Sequence, residues 1–96
     1  MASGTIPKPV ELGPLLQCTF DDLFDYGNGI FSLRPGTDSS KPSSASYFMV
    51  LQFKMLVSGA EWGSQFAVTT DTTLTYYMRK HRGSSGWTAW KSLTFS

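Results

Sequence analysis

A mainly β fold, a small antiparallel sheet or sandwich with one short helix near its N-terminal end, is predicted by three features of the chain. Residues 74–81 alternate strictly, with Leu74, Tyr76 and Met78 on one parity and Thr75, Tyr77, Arg79 and His81 on the other, the period of a strand. Residues 47–57, YFMVLQFKMLV, form the most hydrophobic run, apolar at every odd position. Arg34-Pro35-Gly36, Ser58-Gly59-Ala60, residues 69–73 and Arg82-Gly83-Ser84-Ser85-Gly86 punctuate the chain into strand-length pieces.

Ninety-six residues make one domain whose single core buries a modest fraction of its surface, so a stabilising partner chain is expected. Charged residues are 16% of the chain, against about 25% in an average protein, and aromatics are 15%. Much of the surface must therefore be Ser, Thr, Gly and aromatic, which suits a fibre tip or a sugar-binding face better than a monomeric enzyme. The net charge of +1, with its eight basic residues scattered, gives no electrostatic footprint for nucleic acid. The single cysteine, Cys18, rules out an internal disulfide and suggests a fold made in a reducing cytosol, with Cys18 as a small buried apolar group. No segment approaches 18 consecutive apolar residues, so no membrane insertion is expected, and no cationic segment followed by an apolar one signals export.

Residues 1–18 read as a flexible start and an extended lead. Pro7, Pro9 and Pro14 reject helix there. Residues 19–96 are the folded domain. Thr19 can cap a helix of at most two turns, Asp21 and Asp22 suit its positive end, and Gly27 stops it. Residues 29–33 are a short strand. Residues 37–46, TDSSKPSSAS, hold nothing apolar larger than alanine and form a solvated loop. The run 47–57 reads as a central strand buried on both faces at its start, with helix as the competing reading because of its length. Residues 62–70 follow as another strand with Phe66 and Val68 inward.

The last hairpin sets a puzzle. Trp87 and Trp90 are three apart, so they cannot share one face of a regular strand unless a bulge re-aims one of them, or unless the sheet is covered on both sides. Both rings are assigned to the core, together with Phe53, Phe66 and Met78.

The run from Thr69 to Leu93, with Tyr77-Met78-Arg79, a loop from Gly83 to Gly86 and Trp87-Thr88-Ala89-Trp90-Lys91-Ser92-Leu93, resembles the C-terminal motif of knob domains that end tailed-phage tail fibres and pyocin fibres. Phe20-Asp21-Asp22-Leu23 with Tyr26-Gly27-Asn28-Gly29-Ile30-Phe31 is similar to the short opening of that family. His81 stands where the family carries a second basic residue. The resemblance implies a homotrimer at the tip of a fibre shaft, made in the host cytoplasm and carried on the virion, which adheres to a host cell-surface glycan or another surface receptor. Ligand contact is expected from Tyr77, Arg79, His81, Arg82 and Ser84, an outward face and hairpin that combine an aromatic ring with fixed donors. Two other readings are a structural module that caps and trimerises a fibre and a carbohydrate-binding module of an enzyme.

Catalysis is not expected. His81 stands beside Arg79 and Arg82, where a surface polar role suits it better than that of a base; no Gly-x-Ser-x-Gly occurs, and the acids suggest no facing pair. No cofactor is expected, and no metal, since helix-start chemistry accounts for Asp21 and Asp22 and no calcium-loop spacing is present.

Overall fold

The structure, a computed structural model, describes residues 14–72 and 75–94; most of the expected lead, with Leu74 and Phe95, lies outside them. Thr19 opens the helix in the predicted way. Its Oγ1 accepts a hydrogen bond from the Asp22 amide at 2.9 Å, and Asp21 and Asp22 occupy the first turn of α1 (Phe20–Leu23). The backbone then tightens into a 3-10 turn, Phe24–Tyr26, and Gly27 ends it at φ 79°, a left-handed conformation that a side chain would resist. A second cap comes from the loop that follows β1. Asp38 accepts from the Phe20 amide at 2.7 Å and from Ser40 N at 2.8 Å, so the polar loop 37–46 is tied to the helix.

Five strands, β1 (Gly29–Leu33), β2 (Phe48–Val57), β3 (Ala60–Thr69), β4 (Thr75–Arg82) and β5 (Lys91–Thr94), form one antiparallel meander in chain order. β2 and β3 are joined at Ser58 and Gly59, both at positive φ (52° and 80°), the two-residue turn whose twist matches that of the flanking strands. Register places Val50 opposite Ala67, Gln52 opposite Gln65, and Gln65 opposite Arg79. Leu16 adds one parallel bridge to Leu33 at the β1 edge.

Among the described residues the architecture is a single sheet with one covered face, the sheet rather than the sandwich of the two expected forms. α1, the loop after β1 and the segment before β5 cover that face, and Phe20, Leu23, Leu33, Phe48, Val50 and Ala67 form its core. Phe20 sits at the centre, edge-on to both Phe48 (5.0 Å) and Trp90 (5.1 Å). β2 is buried on one face only, contrary to the expectation from its apolar start: Phe48, Val50 and Gln52 are buried, while Met49 and Leu51 are exposed. The core assignment of Phe53, Phe66 and Met78 is likewise corrected. They lie on the uncovered face, 51%, 38% and 42% exposed, because the covering layer packs on the other parity of β2, β3 and β4. Among the described residues no helix is long and apolar enough to cross a membrane.

Trp87 and Trp90 reach the same side because the returning segment carries one residue more than β4: His81 pairs with Trp87 and Met78 with Lys91, the two-against-one count of a bulge. The segment 86–90 is irregular, touching β4 through one bridge, His81 to Trp87, and through Thr88, whose N donates to Lys80 O at 2.8 Å and whose Oγ1 accepts from Lys80 N at 3.0 Å. Freed from strand alternation, both indoles turn onto the covered face, and Trp90 Nε1 donates to Ser40 O at 2.6 Å. Trp90→Ala therefore removes a ring from the core and the tie to the loop. It should cost about 3 kcal/mol in chemical denaturation, at the low end for an aromatic truncation because the ring is half-buried.

Candidate functional site

The covered face carries more polar chemistry than a β-sheet core normally does. α1 is a single turn, so its carbonyls have few intrahelical partners. The sheet supplies donors to them. Gln52 Nε2 donates to Leu23 O (2.8 Å) and Gly27 O (2.7 Å), Gln65 Nε2 donates to Phe20 O (2.8 Å) and Gln52 Oε1 (2.7 Å), and Lys54 Nζ donates to Phe24 O (3.0 Å). Arg79 extends the chain, its Nε donating to Gln65 Oε1 at 2.8 Å and its guanidinium reaching Asp21 Oδ1 at 3.0 Å. Among the described residues no buried side-chain nitrogen or oxygen lacks a partner.

Arg79 is also clamped between rings. Its guanidinium carbon lies 3.8 Å from the centre of the Trp87 ring and 4.8 Å from that of Trp90, the stacking to which a planar, weakly hydrated cation is suited. Burial draws its pKa down, and the hydrogen bond and charge of Asp21 oppose that shift. The expected outward face of Tyr77, Arg79 and His81 is therefore inverted. Arg79 is only 6% exposed, Tyr77 packs against the core, and His81 stacks on Phe24 at 4.9 Å and meets the Trp87 ring edge-on at 4.9 Å. The apolar Tyr76 and Met78, which the alternation of β4 had suggested as the inner parity, face outward.

Arg82 and Ser84 stand exposed, as expected, at the end of β4 and in the 3-10 turn Gly83–Ser85. That turn is held on both sides. Arg82 N donates to Gly86 O at 2.9 Å, Gly83 adopts φ 52°, and a side chain at position 83 would meet the Trp62 ring at 3.0 Å. Beside it the β2–β3 turn borders an open hollow of about 470 Å³ whose walls include Leu56, Gly59, Glu61, His81 and Ser84. His81 is fixed there by a 2.8 Å contact between Nδ1 and Glu61 O. A carbonyl only accepts, so Nδ1 carries the proton in this contact. Glu61 pairs with Lys54 at 2.7 Å. The Lys54 hydrogen bond, ahead of the charges of Lys54 and His81, lowers the Glu61 pKa, so it is a carboxylate at neutral pH. The hollow thus brings together Glu61, His81 and Ser84, a fixed carboxylate, an imidazole and a hydroxyl, while Arg82 stands exposed beside the turn on the other parity of β4. Glu61 was not singled out from the sequence, because in a strand-end position it carries no motif.

Cys18 is half-buried, and burial, followed by the charges of Asp22 and Asp38, pushes its pKa up, which keeps it a thiol at neutral pH. Among the described residues no three of His, Cys, Asp and Glu gather as metal ligands.

The two partners of Arg79 predict unequal effects. Arg79→Ala leaves Gln65 Oε1 unpaired and a gap between two indoles, and should destabilise by about 3 kcal/mol. Asp21, whose side chain is 58% exposed, forms a pair screened by water, so Asp21→Asn should cost less than about 1 kcal/mol. Urea titration of both variants checks the order; equal losses would mean that the ion pair, not the clamp, holds Arg79.

No family model, no curated protein and no solved structure matches the chain.

Proposed function

We propose that this chain is the receptor-binding knob of a phage or phage-like tail fibre, a homotrimer at the tip of the shaft that adheres to host cell-surface glycan. The observation that carries this reading is the hairpin end itself: Glu61, His81 and Ser84 are presented around one open hollow, with Arg82 exposed at the same end, on a frame fixed by the Arg79 clamp. The frame is built from the same residues, Tyr77-Met78-Arg79 and Trp87-x-x-Trp90-Lys91, that carry the resemblance to fibre knobs. Rigid scaffolds with polar loop ends are the usual support for recognition, because little side-chain order is lost on binding.

The mechanism is adhesion by hydrogen bonding. The Glu61 carboxylate accepts from sugar hydroxyls, and the Ser84 hydroxyl and the His81 ring supply further hydrogen bonds. One such site is weak. Three copies on a fibre combine by avidity, which multiplies affinity without any new contact. Tyr77 and Arg79, committed to the core and the clamp, act as supports.

A structural cap that trimerises a fibre while another domain binds the host is the second reading, and the internal use of Arg79 and Tyr77 favours it. A glycan array and a pull-down with bacterial cell envelopes, run on the wild-type chain beside Arg82→Ala and Glu61→Gln, separate the two. The adhesive reading expects glycan binding, weakened roughly tenfold by Glu61→Gln as a charged hydrogen bond of about 1.5 kcal/mol is lost and less by Arg82→Ala, with unchanged melting temperature. Retention of no glycan or envelope by the wild type would leave the structural cap.

A further inference from the structure

We propose that the open face of the sheet is buried, in the assembled protein, against the same face of further copies of this chain. The inference goes beyond adhesion and holds equally for a fibre cap that binds no receptor.

The two faces of the sheet are the reverse of what a lone domain requires. An antiparallel sheet with one wet face normally turns its polar parity to water. Here the covered parity holds Gln52, Lys54, Gln65, Arg79 and His81, while the open parity of β2 is Met49, Leu51, Phe53, Met55 and Val57. With Ile30 on β1, Trp62 and Phe66 on β3, Tyr76 and Met78 on β4 and Leu93 on β5, eleven large apolar side chains stand 37 to 61% exposed on one surface. Taking roughly half of a side chain of about 150–200 Å² for each, they offer on the order of 900 Å² of apolar surface. The largest patch on a typical monomer is about 300–600 Å². One partner's share of a stable interface is about 800 Å², which this face supplies alone.

A copy of the same chain fits the charge pattern. β1, β2 and β3 carry no ionised side chain on the open parity, so packing this part of the face against itself brings no like charges together. The cations of that face, Lys80, Arg82 and Lys91, lie on β4 and β5 at one lateral side, where a rim stays hydrated. The surface also has relief. Hollows of about 470 and 520 Å³, bordered by Phe53, Met55 and Trp62 and by Phe66 and Met78 respectively, can receive the projecting side chains of a neighbour. Methionines there adapt their shape to such packing. The apolar core under the covered face is small for a chain of 10.6 kDa, and association supplies a second one.

Sedimentation equilibrium of the wild-type chain should give a multiple of 10.6 kDa, and Phe53→Glu should reduce it to the mass of one chain. Because that variant can also lose its fold, a second measurement uses Ser64→Cys, at the middle of the open face, in a Cys18→Ser background. A short bis-maleimide should link these chains into covalent dimers and should leave Ser44→Cys, in the covering loop, as single chains. A wild-type mass of 10.6 kDa at high micromolar concentration, with or without adsorption to phosphatidylcholine vesicles, overturns the proposal, as does cross-linking through Ser44→Cys but not through Ser64→Cys.

Discussion

A one-turn helix cannot satisfy its own carbonyls, and the sheet beneath it is built around that constraint. Phe20, Leu23, Phe24 and Gly27 each offer a carbonyl, and Gln65, Gln52 and Lys54 donate to them from β2 and β3. An unpaired buried carbonyl costs about 1–3 kcal/mol, so apolar residues at positions 52 and 65 would pack the sheet while leaving the helix end unsupported. The polar face is therefore the covered face. This leaves the apolar parity of the same strands uncovered by any described residue, which is the physical origin of the open surface.

Arg79 joins this ladder to the end of the molecule. Through Gln65 it belongs to the helix-binding network, and between Trp87 and Trp90 it sets where the chain leaves β4 and returns as β5. The Gly83–Ser85 turn, His81 and the neighbouring Glu61 inherit their positions from it. A cation held at such a junction serves geometry more than net stability, since desolvating it opposes much of what its contacts contribute. The hydrogen-bonding groups around the hairpin cavity can then be fixed in place while they face solvent.

Much of the fold was legible in the sequence. The capping Thr19, the stop at Gly27 and the turns at Ser58-Gly59 and after Arg82 are local effects of side-chain hydrogen bonds and glycine conformations, and the elements fall where those residues place them. Which face is covered was not legible. In β2 both parities are apolar at their start, and in β4 the apolar Tyr76 and Met78 alternate with Tyr77, Arg79 and His81, so a rule that places apolar residues inside chooses the wrong parity. Gln52 and Gln65 were the available signal. A buried glutamine opposite another across a strand pair needs partners, and a helix too short to pair its own carbonyls supplies them. Of the candidate site, Ser84 with the neighbouring Arg82 was legible from the glycines that mark an exposed turn, and His81 was named as well, though on a face expected to point outward. Glu61 joins them through strand register, which no local pattern encodes.

The central claim is that Arg79 is buried between two indoles and ordered by Gln65. Nuclear magnetic resonance of the Arg79 side chain tests it most directly. A guanidinium clamped in this way has its δ and γ protons shifted upfield by both rings, and its Nε proton, bound to Gln65, exchanges slowly with water. Arg79 side-chain protons at the positions of a solvated arginine, with Nε–H exchanging as fast as that of exposed Arg82, would contradict the account.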